Sequence, residues 1–107
     1  MNIDEYQKEA TKTAVYDNKD PLSYCILGLV GEAGELANKY KKVLRGDKEL
    51  TNELKLEMSK EAGDVLWYLA STVKELGYTL DTVAQMNIDK LKRRRRNNTI
   101  MGDGDNR

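Results

Sequence analysis

The chain has no histidine and only one cysteine among its 107 residues. The first absence removes Ser-His and Cys-His nucleophilic catalysis, and with it the Glu-x-x-His ligand pattern of di-iron helical bundles. The two together argue against a usual zinc site, which is built from several Cys and His ligands. Cys25 has no cysteine to pair with, so no internal disulfide forms, and a reducing cytoplasm is the expected setting. The start, Met1-Asn2-Ile3-Asp4-Glu5, is acidic where a secretory leader is basic. The longest apolar run, Tyr24 to Val30, is far too short to cross a bilayer, so no membrane partner is expected. Lys plus Arg and Asp plus Glu number 18 each, giving zero formal net charge and no general attraction for nucleic acid. The one biased segment is Arg93 to Arg96.

What is present suits one small globular domain over residues 1–107. Apolar residues make up 39% and charged residues 34%, too polar for a membrane protein and too apolar for disorder. A domain this small buries only about 60–65% of its unfolded surface, so self-association is expected. The pattern predicts four helices and no strand, an all-α fold. Helix 1 is predicted from Ile3 to Asn18, capped by Asn2 with Glu5 three positions on, its apolar stripe being Ile3, Tyr6, Ala10 and Ala14. Helix 2 opens with Asp20 as N-cap and Pro21 at the first helical position, and runs to Arg45, where Gly46 stops it. Leu22, Ile26, Leu29, Val30, Ala33, Leu36, Ala37, Tyr40 and Leu44 are expected on its inner side. Helix 3 is predicted to begin between Lys48 and Asn52 and to end at Gly77. Helix 4 follows the cap Thr79 and runs to Arg96. Residues 97–107 read as a C-terminal tail.

Two carboxylate pairs dominate the pattern: Glu32 with Glu35 in helix 2, and Glu61 with Asp64 in helix 3. Each pair is spaced i, i+3, so both side chains leave one face of a helix. Both pairs are equidistant from residue 48, in the turn Gly46-Asp47-Lys48. An antiparallel hairpin folded there sets Glu32 against Asp64 and Glu35 against Glu61. Like charges a few Å apart repel by about 4 kcal/mol per pair at an effective dielectric near 20, so four converging carboxylates point to a bound cation. An oxygen-only donor set suits a hard ion: Mg²⁺, Mn²⁺ or Ca²⁺. Gly31, Gly34 and Gly63 stand inside the same helices, each at a cost of about 1 kcal/mol relative to alanine. Room for a ligand or the partner helix against the backbone would account for that cost.

The stretches Gly28-Leu29-Val30-Gly31-Glu32-Ala33-Gly34-Glu35 and Glu61-Ala62-Gly63-Asp64-Val65-Leu66-Trp67-Tyr68-Leu69-Ala70, with Asn87-x-x-Lys90-Leu91-x-x-Arg94 on helix 4, resemble the MazG-like all-α nucleoside triphosphate pyrophosphohydrolases. The resemblance covers nearly the whole chain, and the ending Gly102-Asp103-Gly104-Asp105-Asn106-Arg107 resembles that of short stand-alone members from phages and bacteria. Gly31 stands where many members carry a first glutamate, so position 31 supplies no ligand. The resemblance implies a four-helix, bundle-like subunit that assembles as a homodimer or homotetramer. It implies Mg²⁺-dependent hydrolysis of a nucleoside triphosphate to monophosphate and pyrophosphate, with Mn²⁺ as a possible substitute. The residue chemistry agrees. A triphosphate carries about four negative charges and approaches four carboxylates only where a metal inverts the local sign. Glu32, Glu35, Glu61 and Asp64 are then the metal ligands. Glu32 and Glu35 are the catalytic candidates, Glu35 first as the base that takes a proton from the attacking water. Lys39 and Lys42, beyond Glu35 on helix 2, and Lys90 and Arg94 on helix 4 are candidates to hold the phosphates. Asn87 and Lys90 rest more on the resemblance than on spacing.

Other readings compete. An acidic i, i+3 pair is ordinarily solvated surface; two pairs mirrored about one turn, flanked by apolar residues, are not. Trp67, Tyr68 and Cys25 read as packing. Arg93 to Arg96 compensate a helix dipole. A non-catalytic helical module, with a structural acidic cluster and a basic end that contacts RNA, is the alternative function. Zero net charge and the lack of aromatics among the basic residues count against it, and the missing histidine counts against a redox metal site.

Overall fold

The helix starts follow from their capping side chains. In the computed structural model, which describes residues 1–16 and 19–105, Asn2 accepts from the Glu5 amide at 2.9 Å and Glu5 accepts from the Asn2 amide at 3.3 Å. This capping box opens α1 (Ile3–Thr11). Asp20 accepts from the Ser23 amide at 3.2 Å, ahead of Pro21, and opens α2 (Pro21–Leu44). Thr51 and Thr79 cap α3 (Asn52–Glu75) and α4 (Leu80–Arg96). The stops of α2 and α3 are Schellman turns. Gly46 and Gly77 take φ of +88° and +86°, and the amides of Asp47 and Tyr78 reach back to the carbonyls of Lys42 and Val73, each at 3.0 Å. The expected all-α fold is therefore observed, with no strand among the described residues.

α1 is shorter than predicted. It ends at Thr11 instead of Asn18, which itself lies outside the described residues. The cause is competition for its last carbonyls. Ala10 O accepts from the Thr13 amide at 3.1 Å, from Thr13 Oγ1 at 2.7 Å and from Trp67 Nε1 at 3.1 Å. A hydroxyl and an indole, the latter from α3, thus occupy the acceptor a continuing helix would need.

α2 and α3 form the antiparallel hairpin, in the register the mirrored carboxylates require. Lys39 pairs with Glu57 at 3.7 Å, and the Tyr68 ring lies over Gly28; each of these pairs is also equidistant from residue 48. On α2 the seam is Leu22, Cys25, Leu29, Glu32, Leu36, Lys39 and Val43, all buried or half-buried. On α3 it is Leu54, Met58, Glu61, Val65, Tyr68 and Thr72. The alternating three- and four-residue steps are those of a coiled-coil seam. This corrects the expected inner side of α2. Leu22, Leu29 and Leu36 face α3, but Ile26, Val30, Ala33, Ala37, Tyr40 and Leu44 are exposed. They form a second stripe with the same steps, about 100° round the helix.

α1 packs against α3 and α4 around a small core of Ala70, Val73 and Leu80, with Tyr6 and Val83 against it. Buried Gln7 ties the three helices together. Its amide nitrogen donates to Ala70 O at 3.1 Å and to Tyr78 O at 3.3 Å, and its amide oxygen accepts from the Leu80 amide at 3.0 Å. The four helices do not close into a bundle within one chain, because α2 packs on α3 alone. The radius of gyration is 16.8 Å, where a compact chain of this length has about 13 Å. Among the described residues no helix is long and apolar enough to cross a membrane.

Candidate active site

The hairpin places three carboxylates at one point. Glu32 and Glu61 are half-buried at the α2–α3 seam and Asp64 is exposed beside them, with one oxygen of each within 4.8 Å of the others. Glu35 is exposed and does not join this group. Asp64 stands in the same relation to the seam residue Glu61 as Glu35 does to Glu32, so helix position alone does not separate them. The Glu35 carboxylate is the one that does not come within 4.8 Å of the others. It still acts on the group: burial and then the charges of Asp64, Glu61 and Glu35 hold the Glu32 carboxyl above the ordinary carboxylate range. Asp64 also helps to push the Tyr6 phenol up, after burial. One cation is near. Lys39 Nζ lies 3.9 Å from Glu61 and 3.7 Å from Glu57.

The donor set fits a hard divalent cation. Two oxygens on one Mg²⁺ lie at most about 4.2 Å apart, so small side-chain rotations would gather three that already sit within 4.8 Å. Apolar seam residues flank the group, Leu29 and Leu36 on α2 and Val65 on α3. A carboxylate group there, offset by a single lysine, is costly unless a cation balances it.

The helix 4 candidates stand on an element that packs on α1 and α3 and not on α2. Asn87 and Lys90 line a groove of about 260 Å³ with Val83 and Met86. Arg94 is only 7% exposed, and both Lys90 and Arg94 are engaged by Asp105 of the tail, at 3.1 and 3.3 Å. Lys42 is half-buried on the last turn of α2. Gly31, Gly34 and Gly63 face open space, so no partner helix of the same chain uses the room they leave. The helix glycine with a close neighbour inside the chain is Gly28, where a Cβ would clash with the Tyr68 ring. Sequence reasoning missed it, although Gly28 and Tyr68 share the mirror about residue 48. Tyr68 joins Tyr16, Tyr24 and Trp67 in an aromatic cluster with centroids 4.9–6.5 Å apart. Its phenol is raised by burial first, with the Glu32 charge among the further causes.

An antiparallel helical hairpin with acidic residues set into its seam defines an all-α protein with a candidate metal centre. The chain belongs to the MazG family: residues 21–99 match the MazG nucleotide pyrophosphohydrolase domain, which spans α2 to the end of α4. Over its whole length it is 46% identical to the Gene 37 protein of Mycobacterium phage L5, and the match covers all of that protein too. No solved structure matches the chain. Family membership makes a nucleotide pyrophosphohydrolase activity the general expectation.

Proposed function

We propose that the chain hydrolyses a nucleoside triphosphate to the monophosphate and pyrophosphate, with Glu32, Glu61 and Asp64 holding Mg²⁺, or Mn²⁺ in its place. The observation that carries this reading is the three-carboxylate group at the hairpin seam of a MazG domain. A divalent ion bound there supplies neutralisation of the phosphate charge and acidifies a water for attack at phosphorus. Glu35, outside the group but beside it, accepts the proton from that water at a carboxylate oxygen and adds a ligand if its side chain turns inward. Lys39, already at the edge of the group, meets phosphate oxygens. Asn87, Lys90 and Arg94 bind the far end of the triphosphate by charge-assisted hydrogen bonds.

The reading includes a homodimer or a higher homo-oligomer. The exposed stripe Ile26, Val30, Ala33, Ala37, Tyr40 and Leu44 repeats the steps of the internal seam, and no other helix of the same chain packs on it. A second copy presenting the same stripe is the partner whose periodicity fits. The test is to compare Mn²⁺ binding by calorimetry with turnover in Glu32→Gln, Glu61→Gln and Asp64→Asn. Each should lose most of both while keeping the helix content of the parent. Near-parental turnover in two of the three would remove the group from the mechanism.

A further inference from the structure

The tail does not trail away from α4. It turns back along it. Asn98 adopts φ of +55°, and the Thr99 amide bonds to the Arg94 carbonyl at 2.8 Å while the Asn98 amide bonds to the Arg95 carbonyl at 3.3 Å. This is the same Schellman turn that ends α2 and α3, here with an asparagine in the left-handed position. The returning chain brings Asp105 against three basic side chains. Its Oδ1 lies 3.1 Å from Lys90 Nζ and 3.3 Å from Arg94 Nη2, and its carbonyl accepts from Arg93 Nη2 at 3.2 Å. Arg94 Nη2 also donates to Gly104 O at 3.2 Å.

Lys90 and Arg94 stand four residues apart on one face of α4, a spacing that presents two cations to one anion. The tail fills that place incompletely. Arg94 is buried, and among the described residues its Nε has no hydrogen-bond partner. A guanidinium fork is matched by an anion bringing two oxygens, and Asp105 offers Arg94 one. The carboxylate itself is 82% exposed and carries a single charge, so water and salt screen its hold. A phosphate group brings more charge and more acceptor oxygens to the same two cations.

We propose that Asp105 is a resident anion at a phosphate-binding cation pair made by Lys90 and Arg94, and that phosphoanhydride anions displace it. The tail is then a self-occupying latch. Closed, it shields Arg94 and neutralises Lys90; opened by an incoming phosphate chain, it exposes both. The direction of the Asp105 pKa fits, since Lys90 first and Arg94 after it hold the carboxyl below its ordinary range. The inference rests on the reading of this chain as a nucleotide pyrophosphohydrolase for the identity of the anion, but its test needs no turnover.

The probe is inorganic pyrophosphate without divalent metal, titrated by calorimetry into the full-length protein and into Asp105→Asn. Removing the competing charge should tighten pyrophosphate binding about three- to tenfold, and Lys90→Gln should weaken it in both backgrounds. In the parent protein, saturating pyrophosphate should also move the backbone amide resonances of Gly104 and Asp105 toward their positions in Asp105→Asn. Unchanged or weaker binding in Asp105→Asn, absence of pyrophosphate binding, or tail resonances that stay in place would each overturn the proposal. Failure of the parent to hydrolyse any triphosphate would sink the hydrolase reading and leave this competition measurable.

Discussion

Glu32 concentrates the chemistry of the site in one side chain. It sits on the apolar seam, and burial with three acidic neighbours raises its pKa. A carboxyl whose pKa is higher in the folded than in the unfolded chain adds stability in its protonated form. That stability is full below the unfolded pKa and is lost as pH rises through the folded value. The metal-free protein should therefore lose stability from the ordinary carboxylate range upward, through the raised pKa of Glu32. Glu32→Gln should raise its thermal midpoint at pH 7 and flatten that part of the profile; melts from pH 4 to 7 without metal check both. Glycine gives a second contrast with opposite signs. Gly28→Ala forces the Tyr68 ring away from its place and should destabilise by about 1–3 kcal/mol. Gly31→Ala and Gly63→Ala face open space and should stabilise the metal-free subunit by up to about 1 kcal/mol through helix propensity. Thermal denaturation of the three variants separates the cases. Glu32, Glu61 and Asp64 were legible in the sequence because helical spacing and one turn fix where they go. The position of Glu35 outside the group was not, because Glu35 and Asp64 each stand three residues on from a seam carboxylate and spacing does not say which of them joins. The engagement of Lys90 and Arg94 by Asp105 was hidden for a different reason. It depends on Asn98 turning the chain left-handed, and asparagine signals this less strongly than glycine does.

At the scale of elements, the caps Asn2, Asp20 and Thr79 and the stops Gly46 and Gly77 were readable, since each acts through local hydrogen bonds. The start of α3 was bracketed only between Lys48 and Asn52, and its cap is Thr51. The length of α1 was not readable, because an indole 54 residues beyond Thr13 takes part in ending it. The inner face of α2 was misassigned for an instructive reason. The helix carries two apolar stripes, and hydrophobicity alone does not say which meets α3. The polar seam positions decide it: Lys39 pairs with Glu57 and Glu32 meets Asp64 only if the stripe through Leu29 and Leu36 faces inward. The outer stripe is where assembly is expected. Val30→Glu with Tyr40→Glu should leave the circular dichroism of the helices in place while lowering the mass seen by sedimentation to that of the monomer at micromolar concentration. A parent protein that sediments only as monomer while fully active would contradict the proposed assembly.

As a whole molecule the subunit is open. α2 packs on a single neighbour, many large apolar side chains are exposed, and the chain extends well beyond compact dimensions. These properties fit a subunit that completes its core with another copy, and they leave the acidic group at the middle of the seam open to solvent at Asp64. The central claim is chemical, and it turns on which bond of a triphosphate breaks. Attack between the α- and β-phosphates gives a monophosphate and pyrophosphate, whereas a phosphatase gives a diphosphate and orthophosphate. Phosphorus NMR of the products from a panel of ribo- and deoxyribonucleoside triphosphates, at millimolar Mg²⁺ or Mn²⁺, reads this directly. The account predicts pyrophosphate with the matching monophosphate from at least one triphosphate, abolished by chelation and by Glu61→Gln. Orthophosphate as the first product, or no monophosphate from any member of the panel with either metal, would contradict it.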